Sequence, residues 1–76
     1  MNTHQPRLDA VRTTHPNIDN LVSRTELTSE ELDKVLLTIE TYEQEGWSEM
    51  EIDELIDTLT YNHSALEITL IAADAL

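Results

Sequence analysis

The last thirteen residues of the chain, residues 64–76, are apolar at positions that would surround a helix. If this stretch is helical, its apolar residues form two stripes on almost opposite faces. The first stripe comprises Ile68, Ile71, Ala72 and Ala75, and the second comprises Leu66, Leu70 and Ala73. A helix with two apolar faces needs cover on both, which predicts either a domain wrapped around it or contact with another chain. We expect the stripe of Leu66 and Leu70 to be the exposed one, because the other stripe carries the β-branched residues.

A start signal for helices occurs three times before and within this region. Residues 28–31, 48–51 and 64–67 all match S/T-x-x-E, the capping box in which a hydroxyl and a glutamate satisfy backbone amides at a helix N-terminus. The first two boxes are also flanked by apolar pairs at the positions of a hydrophobic staple, Leu27 with Leu32 and Trp47 with Ile52. The spacing of the three boxes predicts three helices.

Stop signals agree with these starts. Gly46, the only glycine in the chain, and Asn62 stand where the first two helices would need a residue that tolerates the left-handed conformation. Residues 1–26 show only isolated apolar positions and two prolines, which is typical of a flexible arm. The predicted fold is therefore all-α: a small three-helix bundle over residues 27–76, with helices near 29–45, 49–61 and 64–76, preceded by a flexible N-terminal arm over residues 1–26.

Charge adds a second strong signal. The chain has 16 acidic and 4 basic residues, a formal net charge of −12, and three of the basic residues precede residue 26. Such a field repels the phosphates of nucleic acids and anionic membrane surfaces, so we expect neither as a direct partner. Since no run approaches the roughly 18 apolar residues of a membrane span, we expect a soluble, cytoplasmic protein.

The acids of the second predicted helix form a candidate docking face. Helical periodicity places Glu49, Asp53, Glu54 and Asp57 on its outward side, with Met50 among them. This face could imitate a phosphate backbone and dock on a basic surface of another protein. It could equally be an ordinary solvated face that keeps a small protein soluble, or an adaptation to high salt.

Catalytic and metal-binding motifs are not found. The chain has no cysteine, no Gly-rich loop, no calcium-binding loop and no His-Glu motif for zinc. His4 and His15 fall in the predicted arm, and His63 falls in a predicted turn. We therefore expect no enzyme, no cofactor and no metal site.

Trp47 follows Gly46 at the corner between the first two predicted helices. It could be a partner anchor, because tryptophan often dominates interfaces. We favour a place in the core, because Ile52 stands where a staple partner is needed. Met50 and Leu37 lie off the apolar stripes of their helices, either as scattered surface residues or as part of a contact patch.

Gly46 and Trp47, followed by a helix, by Asn62 and by a last helix, resemble the spacing of ubiquitin-associated domains. The resemblance covers about half of the chain. It implies a compact three-helix fold and an adaptor module whose partner-binding surface would include Gly46, Trp47, Leu70 and Ile71.

These patterns lead to two functional hypotheses. The first is a small acidic regulator or inhibitor that docks on a basic, nucleic-acid-binding surface of a partner protein, such as a phage might encode. The second is a structural or assembly subunit whose last helix pairs with itself in a homodimer. The candidate partner-binding residues are Trp47, Glu49, Met50, Asp53, Glu54, Asp57, Leu66 and Leu70.

Overall fold

The computed structural model describes residues 5–75 of the 76-residue chain. The prediction of an all-α fold is confirmed, but the three-helix count is wrong, because the described part contains five helices. These are α1 (Gln5–Thr14), α2 (Ile18–Thr25), α3 (Ser29–Gln44), α4 (Glu49–Tyr61) and α5 (His63–Asp74).

The two additional helices occupy the segment that the sequence analysis assigned to a flexible arm. Leu8 and Val11 of α1, and Ile18 and Leu21 of α2, are buried in the same core cluster as the residues of α3 and α4. Each helix contributes only two core residues, three positions apart, which is too short a pattern to stand out in the sequence. Tertiary packing supplies the stability that local propensity does not.

Proline helps rather than hinders these two helices. Pro6 lies in the first turn of α1, where the missing amide would have had no helical partner. Pro16 lies in the turn between α1 and α2, and α2 ends at Glu26, whose φ of 49° is left-handed.

The first two capping boxes are confirmed. The hydroxyls of Thr28 and Ser48 accept from the backbone amides of Glu31 and Glu51, and each glutamate accepts in return from the amide of its cap residue. Gly46 between these helices has a φ of 96°, as its predicted role as a helix stop requires.

The prediction of a third capping box at Ser64 is wrong. Asn62 is both the C-cap residue of α4 and the N-cap residue of α5. Its side chain accepts a hydrogen bond from the backbone amide of Ala65. It has an extended backbone with a φ of −122°, not the left-handed one that we expected. Helix α5 therefore begins at His63, so Ser64 is already inside the helix and cannot cap it.

Helix α5 packs on α3 and α4. It runs antiparallel to α3, since Lys34 near the start of α3 pairs with Asp74 at the end of α5, while Tyr42 and Ile68 line one groove at the other end.

The face that α5 turns to the core is opposite to the one we expected. Leu66 and Ala73 are buried and Leu70 packs against the core, whereas Ile68 and Ile71 are 67% and 71% exposed. The rotation of α5 follows from its packing on α3 and α4, which the apolar pattern of a single helix does not specify.

Candidate partner-binding surface at the α3–α4 corner

The connection between α3 and α4 is the most continuously exposed part of the described chain. Every residue from 43 to 51 is exposed, a segment we name the α3–α4 corner. Its path is nevertheless fixed. The amide of Trp47 donates to the carbonyl of Tyr42 at 3.1 Å, and the amide of Gly46 donates to that of Glu43 at 3.1 Å. The backbone of the corner thus follows a defined path.

Trp47 lies on this surface and not in the core, so that part of our prediction is wrong. Its side chain is 38% exposed and stacks on the ring of Tyr42, with ring centroids 4.1 Å apart and an angle of 16° between the planes. Ile52, its expected staple partner, is fully buried. Tyr42 offers a flat, half-buried platform at the end of α3, and no sequence pattern indicated that the two rings would meet.

The corner combines apolar side chains with carboxylates. Met50 is 73% exposed, and Glu43, Glu45 and Glu49 surround it and Trp47 along the chain. Within residues 5–75, no basic group lies within ion-pair distance of these three carboxylates.

The four basic residues are engaged elsewhere. Each has a partner within its own chain, and the pairs are Arg7 with Glu40 at 3.0 Å, Arg12 with Asp9 and Asp19 at 3.1 and 2.8 Å, Lys34 with Asp74 at 2.7 Å, and Arg24 over the ring of Tyr61 at 4.9 Å. The negative field of the corner is therefore not offset by a neighbouring cation. That field extends along α4 through Glu54, which is also exposed.

Two of the predicted docking acids hold the fold together instead of facing freely outward. Oδ1 of Asp53 lies 2.5 Å from Nδ1 of His15, and the side-chain amide of Asn17 donates to the carbonyl of Asp53 and to Oδ1 of Asp57, both at 3.0 Å. These bonds tie the turn between α1 and α2 to α4. These bonds were not expected, because the sequence pattern predicted that His15 lies in a flexible arm, whereas its side chain is 1% exposed.

Two charged groups have pKa values that are shifted by contacts within the fold. Hydrogen bonds from Ser48, above all from its backbone amide, lower the pKa of Glu51. The hydrogen bond to Asp74 raises the pKa of Lys34. Both shifts favour the charged forms, which belong to a cap and to an ion pair of the fold.

Leu66 and Leu70, the two remaining predicted contact residues, lie against the core and are not available as the exposed stripe we expected. Next to them, a groove of about 190 Å³ separates α3 from α5. Tyr42, Ile68 and Ala72 contribute its apolar lining, and Glu45 lies at one end.

No group of three or more His, Asp and Glu side chains is arranged to hold a metal ion in the part of the chain that the structure describes. In the same part, every helix is too short or too polar to cross a membrane.

Comparisons with protein-family models, curated proteins and solved structures find no match. The resemblance to ubiquitin-associated domains is limited to local spacing, since residues 5–75 form five helices instead of three and Leu70 packs against the core.

Proposed function

We propose that this protein is a small acidic regulator that docks its α3–α4 corner on a basic surface of a partner protein. The observation that carries the proposal is the combination of unpaired carboxylates with exposed apolar anchors. Glu43, Glu45 and Glu49 have no cation nearby within the described residues, and Trp47 and Met50 stand exposed among them.

Each component has a separate role in binding. The carboxylates and the net charge of −12 attract a basic surface and speed its encounter with the corner. Trp47 and Met50 then supply apolar area that becomes buried at contact, and tryptophan is among the residues that most often dominate interface energies. Because Trp47 is already stacked on Tyr42, it loses little side-chain freedom when it binds.

The chemistry of the face points to the class of partner. A protein surface built to bind nucleic-acid phosphates offers clustered Arg and Lys side chains, which the carboxylates of the corner and of Glu54 would meet. By occupying such a surface, the protein would act as an inhibitor or regulator that mimics DNA. A phage-encoded protein is one setting in which this activity would be useful.

Site-specific photo-crosslinking tests the proposal directly. A photoreactive amino acid at Met50, in the corner, should crosslink a partner in cells that make this protein. The same amino acid at Ser23, an exposed position of α2, is the matched control and should not. The crosslink should weaken as salt is raised, because the attraction is between opposite charges.

Equal crosslinking from Met50 and Ser23, or a crosslink that salt leaves unchanged, would contradict docking through an acidic corner. Either outcome would mean that these carboxylates form an ordinary solvated face that keeps the protein soluble.

A further inference from the structure

The stack of Trp47 on Tyr42 leaves one face of the indole ring open. The two rings are nearly parallel, with 16° between their planes and 4.1 Å between their centroids, so Tyr42 covers one face of the indole. Trp47 is nevertheless 38% exposed, so its accessible area lies mainly on the opposite face and along the edge of the ring. The face of an aromatic ring is electrostatically negative and attracts cations. An open tryptophan face within an acidic surface is therefore a suitable place for a cation.

A carboxylate side chain starts from the backbone next to this ring. The amides of Glu45 and Trp47 both donate to the carbonyl of Tyr42, each at 3.1 Å, and Gly46 between them has the left-handed φ of 96° that such a tight reversal needs. Glu45 also lines the groove between α3 and α5 together with Tyr42, the residue on which Trp47 is stacked. Among the described residues, Glu45 forms no ion pair. The corner thus brings an aromatic face and a carboxylate close together.

The arginines of the chain already make each of these contacts separately. The guanidinium of Arg24 lies over the ring of Tyr61, 4.9 Å from its centroid. Nε of Arg7 lies 3.0 Å from a carboxylate oxygen of Glu40. The third arginine, Arg12, pairs with two aspartates between α1 and α2. Since all three arginines are bound elsewhere, a guanidinium that uses the aromatic face and the carboxylate of the corner has to come from another molecule.

We propose that the corner recognises an arginine of the basic partner, whose guanidinium lies flat on the open face of Trp47 and donates to the carboxylate of Glu45. This inference rests on the proposed function and names the side chain that the corner would recognise. A guanidinium is planar, stacks on aromatic rings and presents a fork of N–H donors that fits a carboxylate. The lysine ammonium is a compact, strongly hydrated point charge and cannot stack on the ring while it forms a two-pronged bond.

Recognition of arginine adds a selectivity that charge alone does not provide. A net charge of −12 attracts any basic surface, whether its cations are lysines or arginines. Trp47 and Glu45 would discriminate between such surfaces, because only an arginine satisfies the ring and the carboxylate together. The expected partner therefore carries an arginine in the part of its basic surface that meets the corner.

Titration calorimetry with two probe peptides tests the proposal. Nona-arginine and nona-lysine carry the same charge, so the ratio of their dissociation constants at matched salt cancels the general attraction to an acidic protein. The wild type should bind nona-arginine about five-fold more tightly than nona-lysine. Trp47 is the only tryptophan, so its fluorescence reports occupancy of this site and should change more with nona-arginine.

Three variants assign the preference to the corner. Trp47→Leu and Glu45→Gln should each lower the preference for nona-arginine to about two-fold or less, because each removes one of the two contacts. Glu45→Gln keeps the size of the side chain, so it tests the site independently of any effect of Trp47→Leu on folding, which circular dichroism would detect. Glu30→Gln removes the same charge from an exposed position at the opposite end of α3 and should keep the wild-type ratio.

The possible failures separate this inference from the proposed function. A wild type that binds both peptides equally overturns arginine recognition, and so does a preference that Trp47→Leu and Glu45→Gln leave unchanged. Salt-sensitive binding of both peptides would in those cases still support docking on a basic surface. If neither peptide bound, the proposed function itself would fail, and arginine recognition would fail with it.

Discussion

At the scale of single residues, His15 is the least expected feature of the molecule. It is 1% exposed, its Nδ1 bonds to Asp53, and its Nε2 has no hydrogen-bond partner among the described residues. Burial of a polar ring costs free energy unless the ring is hydrogen-bonded, and the contact with Asp53 offsets part of that cost. Here it joins the end of α1 to α4, across 38 positions of sequence.

We expect His15→Ala to lower the free energy of unfolding by about 2 kcal/mol, because it removes a buried hydrogen bond and leaves a cavity. His63→Ala is the matched control. His63 also bonds to a carboxylate, that of Glu67, but on the surface, so its loss should cost close to nothing. Urea unfolding followed by circular dichroism measures both, and similar costs would mean that the His15–Asp53 contact does not tie the helices together.

The Glu51 cap gives a prediction on pH. Hydrogen bonds from Ser48 lower its pKa below the ordinary glutamate value of about 4.3, so it stabilises the fold at pH above that value. The contribution is lost as pH falls through the lowered pKa in the folded state.

The difference in unfolding free energy between the wild type and Glu51→Gln should therefore shrink from neutral pH to below about pH 4. Glu49→Gln, a charge removed from the same turn without a cap contact, should show a smaller change. Urea titrations at several pH values measure the difference, and a constant gap for Glu51→Gln would contradict the role of its carboxylate in the cap.

At the scale of elements, short sequence motifs correctly predicted the helix ends that depend on hydrogen bonds between neighbouring residues. The boxes at Thr28 and Ser48 and the stop at Gly46 define α3 and α4 close to their observed bounds, because a cap depends on neighbours within one turn. The exposure of Glu49, Met50 and Glu54 also followed from periodicity. Contacts between residues far apart in the chain could not be predicted from local patterns. For that reason the sequence did not predict α1, α2, the His15–Asp53 bond or the rotation of α5.

Substitution of Leu21 tests whether α2 is an integral part of the core. Leu21 is fully buried, so Leu21→Ala should cost about 3 kcal/mol, a large share of the stability of so small a domain. Leu37→Ala makes the same chemical change at a partly exposed position of α3 and should cost much less. If thermal or urea unfolding gave equally small effects, residues 18–25 would behave as the arm that the sequence suggested.

At the scale of the whole molecule, the arrangement of charge separates two surfaces. All four basic residues have partners inside the chain, whereas Glu43, Glu45 and Glu49 have no basic partner among the described residues. On α5, the exposed positions Ile68, Ile71 and Ala72 carry no charge. Composition showed the excess of acids, but only the structure shows where the few cations are used. The carboxylates of the corner are the surface that we propose meets a basic partner.

The most direct test of the central claim is the association rate of the partner identified by crosslinking, measured against salt concentration. The wild type should associate fastest at low salt, and Glu49→Gln/Glu54→Gln should associate several-fold more slowly, with a shallower salt dependence. Glu26→Gln/Glu30→Gln removes the same charge from exposed positions near the start of α3 and should stay close to the wild type. Equal slowing by both double variants, or a rate that salt does not change, would contradict docking through the acidic corner.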